Sequence, residues 1–227
     1  MSEKAKIRYH SQKKHFARSS AELFKAHASV RLNERTRRVP LVKKVFSKDI
    51  DARDAFNVYE RLRNLMGVTL LPATYRPSRS RKNVIYMTDL DRGGNVTVAS
   101  NYIRPIGGSI ESLDLEHFRA TLKKIEGAIL SLGSHGAYAP DFSYFAILPK
   151  GGGTEVKVDA VLGDLEHITF RDPRDKAANI NANLISALWF LERTVLSRMP
   201  NPECKTRAKE MMQAWAQDIR KKNGIPE

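Results

Sequence analysis

The chain has a single cysteine, Cys204, in 227 residues. One thiol excludes an internal disulfide, and no Cys/His pair stands at the spacing of a zinc site. No apolar run approaches the roughly 18 residues that a membrane span needs. The opening "MSEKAKIRYHSQKKHF" is basic with no apolar stretch behind it, so it does not read as a secretory signal. A cytoplasmic location is the expectation. The six histidines are scattered, and no "G-x-S-x-G" nucleophile elbow occurs. Aromatic residues make up only 8%, and none recur periodically as a base-stacking surface requires.

Carboxylates are scarce at the start. Residues 1–44 hold thirteen Lys/Arg against three Glu, which leaves +10 of the chain's net +14 in its first fifth. Such a segment attracts polyanions such as nucleic acid or an acidic protein face, or serves as a solubilising arm. Hydrophobic residues make up 41%, enough at this length to bury a core.

Apolar periodicity orders the rest. Residues 1–20 read as a basic flexible arm, 21–92 as a strand-rich region and 93–227 as a helical region. Within residues 21–46, Val30/Leu32 and Leu41/Val45 indicate strands. In "DARDAFNVYERLRNLMG", Phe56, Tyr59, Leu62 and Met66 recur at helical spacing up to Gly67. "VTLLPATY" and "KNVIYMTDL" read as strands around the loop "RPSRSRK". Leu115, Phe118, Leu122, Ile125 and Ile129 define a long helix that Gly133 should end. Two terminal helices follow, one carrying Ile180, Leu184, Leu188, Leu191 and Val195, the other Ala208, Met212, Trp215 and Ile219. His135 is expected at a helix end.

Between these helices, "GAYAPDFSYFAILPKGGGTEVKVDAVLGD" predicts a β-hairpin over residues 143–159, with Asp141 ahead of the first strand and Asp159 closing the second. Two carboxylates so placed either hold a metal–nucleotide complex or bound a structural hairpin. The order of strands, helix, strands, long helix, hairpin and terminal helices makes an α+β chain.

That order, with Lys44 in "PLVKKVF", Met87 to Leu90 in "VIYMTDLDRGG", Asp141 and Asp159, resembles the protein-kinase-like fold. More narrowly it resembles the small bacterial YrbL family of the PhoP regulatory network. The resemblance implies two lobes, a strand-rich N-lobe and an abbreviated helical C-lobe, with ATP and magnesium as cofactors. Lys44 would meet the nucleotide phosphates. Met87, Thr88, Asp89 and Leu90 would form the hinge along adenine. Asp141 would take the proton of the attacking hydroxyl, and Asp159 would ligate magnesium, with Asp164 or Glu166 as substitutes.

Several motif positions are altered. No "G-x-G-x-x-G" loop precedes Lys44. Ala139, Pro140 and Ala146 replace the histidine, arginine and asparagine of the catalytic loop, and Ala160 and Val161 follow Asp159 in place of Phe and Gly. Ala55 falls where a helix glutamate should pair with Lys44, and Glu60, about 140° further round the helix, faces elsewhere. The resemblance therefore implies either a weak ATP-dependent phosphotransferase or a pseudokinase-type regulatory module. The rival from another class is a basic nucleic-acid-binding protein with no nucleotide site.

Overall fold

The computed structural model describes residues 6–18, 21–32, 35–68, 73–75, 83–88, 96–99, 110–140, 142–147, 155–162 and 165–226. Three long strands open it, β1 (Lys6–Arg18), β2 (Ala21–Leu32) and β3 (Arg35–Phe46). Helix α1 (Asp49–Leu62) and strands β4 (Ala73–Tyr75) and β5 (Val84–Thr88) complete an antiparallel sheet in the order β1-β2-β3-β5-β4. Residues 6–18 are thus the edge strand of a sheet, where the sequence predicts an arm. Tyr9 and Ile7 pair with Ala28 and Val30, and backbone pairing holds this segment without any strong apolar alternation.

Next come β6 (Val96–Ala99), β7 (Ser112–Leu113), α2 (Leu115–Ser134), β8 (Ala137–Tyr138), β9 (Ser143–Ile147), β10 (Glu155–Val161) and β11 (Thr169–Phe170). The chain finishes with α3 (Lys176–Thr194) and α4 (Pro202–Lys222). β6-β9-β10-β7 form a second sheet, and β8 pairs with β11. The result is an α+β fold with an N-terminal antiparallel sheet and a helical C-terminal part. Among the described residues no helix is long and apolar enough to cross a membrane. The boundary expected at residues 92–93 and the "RPSRSRK" loop lie outside the described residues, as do the first five residues.

The main core belongs to the helical part. Phe118, Leu122, Ile125, Ile129 and Leu132 of α2 meet Ile180, Leu184 and Leu191 of α3, and Ala208, Met212 and Ile219 of α4 close the layer. Each large side chain so buried contributes about 1.5–3 kcal/mol. The Asp114 carboxylate starts α2 by accepting the His117 N–H at 2.9 Å. Asn201 starts α4 in the same way, on the N–H groups of Glu203 and Cys204.

Two expectations shift by a turn. Helix α1 stops at Leu62, and Met66 beyond it is exposed rather than on a buried face. Gly133 does not end α2; it lies inside the helix. A Cβ there would sit 2.9 Å from the Ile180 backbone nitrogen, so glycine permits the close approach of α2 and α3. The turn falls at Gly136, whose φ is +67°. A Cβ on Gly136 would stand 2.3 Å from the Arg171 carbonyl oxygen, and the Gly136 carbonyl accepts the Arg171 N–H at 2.7 Å. Gly136→Ala is therefore expected to cost about 2–3 kcal/mol, from left-handed strain plus a backbone clash. Thermal denaturation should show a drop of about 5–10 °C.

Candidate functional site

Lys44 is placed by the register of β3. It lies opposite Leu23 of β2 and Ile85 of β5. Phe46 is on the same strand face, and it packs with Ile85 against Ala52 and Ala55 of α1. The lysine is consequently drawn under the sheet and is only 7% exposed. Its ammonium stands 5.2 Å from the centre of the Phe46 ring.

A buried ammonium needs a counter-charge. Ala55 of α1 offers no charge and is itself buried in the Phe46 cluster, and Glu60 pairs with Arg63 at 2.8 Å. The Glu166 carboxylate meets Lys44 instead. Glu166 belongs to a single 3-10 turn, Leu165–His167, which Leu165 and Ile168 pin into the main core. This turn packs on α1, so one ion pair ties the N-terminal sheet to the helical part. Arg61 of α1, stacked 3.5 Å from the Phe170 ring centre, adds a second tie.

The predicted hairpin forms as β9 and β10, with Asp159 opposite Phe145. Asp159 sits within β10, two residues before its end, rather than closing the strand. Its Oδ1 accepts from Lys124 Nζ of α2 at 2.6 Å and from the Ala160 N–H at 2.7 Å. Beside it the Thr121 hydroxyl donates to the Val158 carbonyl at 2.7 Å, so α2 grips β10 at two successive residues. Among the described residues, Glu166 reaches Lys44 and Asp159 reaches Lys124. Ala146, at the asparagine position, lies in β9 opposite Val158.

Asp141 lies outside the described residues, but its approach is well fixed. Asn183 of α3, fully buried, accepts the Ala139 N–H through Oδ1 and donates through Nδ2 to the carbonyls of Ala137 and Asn179, each at 2.9 Å. The Ser186 hydroxyl donates to the Pro140 carbonyl at 2.8 Å. Phe142, on the other side of Asp141, is buried. Asn179, Asn183 and Ser186 were not among the sequence candidates. Their signal is the polar spacing in "NINANLISAL", because asparagine inside a helix is unfavourable unless its amide has work elsewhere.

Met87 is half-buried against the Phe46–Ile85 cluster and pairs with Val42 and Ala73. Thr88 ends β5 opposite Leu41, and Asp89 and Leu90 lie outside the described residues. His135 caps α2 as expected, with ring Nδ1 2.8 Å from the Ser131 carbonyl. Among the described residues no group of three or more His, Cys, Asp or Glu is arranged to hold a metal ion.

No protein-family model matches the chain, and no curated protein matches it in sequence. Its structure is similar to that of a Rio2 kinase from Chaetomium thermophilum, solved as an ADP/Mg2+–phosphoaspartate complex. The TM-score is 0.50 at 9% identity, over 92% of this chain and 70% of that one. At such identity the likeness concerns the fold alone. The chain has a protein-kinase-like fold.

Proposed function

We propose that this chain binds ATP weakly between its sheet and its helical part, and acts as a pseudokinase-type regulatory module with slow or undetectable phosphotransfer. The observation that carries this reading is the buried Lys44–Glu166 pair. In phosphoryl-transfer sites of this fold a strand lysine must be held by a carboxylate before it can steady nucleotide phosphates. Here the carboxylate has moved from α1 to the turn Leu165–His167, and the lysine remains fixed. The backbone from Met87 to Leu90 is the edge we assign to adenine, and Asp141 the group that orients an acceptor hydroxyl. The narrower kinship with the small bacterial YrbL family rests on the order of these residues in the sequence.

The residues fit a nucleotide better than they fit magnesium at Asp159. A magnesium ion there would compete with the Lys124 ammonium for Oδ1, and Ala146 offers no side-chain ligand. Metal ligation is better assigned to Asp164, which follows the strand in sequence. No step is built on that ion.

A thermal-shift titration with ATP, with and without magnesium, tests the reading. At one hundred times the dissociation constant, ATP should stabilise the fold by about 2.7 kcal/mol, a rise of roughly 5–10 °C. Lys44→Met/Glu166→Gln, which removes both charges together, should abolish the shift. An equal shift in that double variant would put the nucleotide elsewhere. Asp164→Ala should remove any magnesium dependence while Asp159→Ala keeps it; the reverse result returns the metal to Asp159.

A further inference from the structure

The pairing of β3 with β5 covers Leu41 to Thr88 through Val45 to Val84. Beyond it, residues 35–40 of β3 continue with β2, and β2 with β1. Among the described residues, a three-stranded ribbon made of residues 6–11, 26–32 and 35–40 therefore extends past the rest of the first sheet. Six residues of strand span about 20 Å.

This overhang is where the basic residues collect. It holds Lys6, Arg8, Arg31, Arg35, Arg37 and Arg38, together with His10 and His27, and contains no Asp or Glu. Glu22 lies at the opposite end of β2, across from Val45, and Glu34 lies outside the described residues. The register sorts the cations by face. Lys6 pairs with Arg31, Arg8 with Ser29 and His10 with His27; Ser29 in turn pairs with Arg38. The twelve unbroken rungs between β2 and β3 keep Arg38 on the same face as Lys44. Arg35 and Arg37 fall on the other face, the one that carries Val39 and Leu41.

Charge on an edge strand alone would be ordinary protection against strand pairing between molecules. Here Lys6, Arg8, Arg31 and Arg38 run across all three strands on one face, including the inner strand, so they form an array. Its rows are about 4.8 Å apart between strands and about 6.8 Å apart along them. An extended acidic peptide presents one line of carboxylates at the longer spacing and would engage a single row. A nucleic acid carries phosphates at far higher density, about one charge per 1.7 Å of duplex axis. Three of these four cations are arginine, whose planar fork suits phosphate oxygens.

We propose that the overhanging β1–β2–β3 ribbon is a nucleic-acid-binding surface that engages the phosphate backbone without reading sequence. It is separate from the nucleotide reading of Lys44 and stands or falls without it.

The test is fluorescence anisotropy with the full chain and a labelled single-stranded RNA of about 20 nucleotides in mixed sequence, measured against salt. Each cation that neutralises a phosphate adds roughly 0.7 to the log–log salt slope. Lys6→Gln/Arg8→Gln/Arg31→Gln/Arg38→Gln should bind at least about tenfold more weakly at low salt, with the slope reduced by about 3. The control Lys205→Gln/Arg207→Gln/Lys209→Gln/Lys221→Gln removes equal charge from exposed positions on α4 and should keep the wild-type slope. If the first variant melts early, Arg31→Gln/Arg38→Gln should still lower the slope by about 1.4. Failure of the wild type to bind would overturn the proposal, as would an equal loss in the control. Displacement of RNA by polyglutamate at lower concentration than by unlabelled RNA would reassign the surface to an acidic protein.

Discussion

Glu166→Ala is expected to destabilise the fold by about 3–5 kcal/mol, one of the two largest effects of any single change considered for this chain. The reason is asymmetry. Lys44 and Glu166 have side chains only 9% exposed, so removing the carboxylate strips a buried ammonium of this counter-charge. Removing both charges is a different matter. Lys44→Met/Glu166→Leu substitutes apolar groups of similar reach beside Phe46, and should return to within about 1 kcal/mol of wild type or exceed it. Denaturant unfolding of the two single variants and the double gives the coupling directly. The exposed Arg174–Asp172 pair, where the arginine holds the carboxyl below its ordinary range through paired hydrogen bonds, serves as the contrast. Its removal should leave the midpoint unchanged. A loss under 1 kcal/mol for Glu166→Ala would mean that other groups around Lys44 balance its charge and that this pair does not join the sheet to the helical part.

The identity of that carboxylate also marks the limit of what the sequence discloses. The helix periods of α2, α3 and α4 are readable because burial selects one face. Ile180, Leu184, Leu191 and Val195 are all in the core, as their spacing predicts. Lys44 is readable for the same reason, since Phe46 two residues on fixes which face of β3 turns inward. Ala55 announces that this position of α1 carries no carboxylate for it.

The replacement is not readable. Glu166 lies 122 residues from Lys44, and only the packing of Leu165 and Ile168 brings its turn beneath the sheet. Asp159 misleads in the opposite sense. Its place near the hairpin's end looks like a ligand position, yet Lys124 lies against it from α2, and no periodicity ties those two residues together. β1 is hidden by its own composition, because only Ile7 and Tyr9 alternate with its basic residues before the polar run of residues 11–15. Gly133 and Gly136 show that a glycine in a helix pattern has two meanings. One admits a neighbouring helix and the other turns the chain, and the sequence alone chose the wrong one as the stop.

Asn183→Leu should lower stability by about 3–5 kcal/mol although it preserves the branched shape of the side chain. The amide of Asn183 meets three backbone groups, and two of them, the Ala139 N–H and the Ala137 carbonyl, belong to fully buried residues on the approach to Asp141. A leucine offers neither acceptor nor donor, and each orphaned group costs about 1–3 kcal/mol. Asn183→Asp separates the two contacts. The introduced carboxyl still accepts from Ala139, but it must hold a proton to donate to Ala137. Burial and the facing carbonyl raise its folded-state pKa above the unfolded one. Its contribution is then complete below the unfolded value of about 4 and is lost as pH rises through the folded one. The Asp variant should approach wild-type stability in acid and fall toward the Leu variant near neutrality, whereas Asn183→Leu should show the wild-type pH profile displaced downward. Amide exchange gives a local readout, because loss of the Asn183 acceptor should speed exchange at Ala139 more than at Phe118 or Ile129 in the middle of α2. Unchanged protection at Ala139 in Asn183→Leu would show that the β8 segment keeps its place without α3. The positioning of Pro140 and Asp141 would then have to rest on Ser186 and the burial of Phe142.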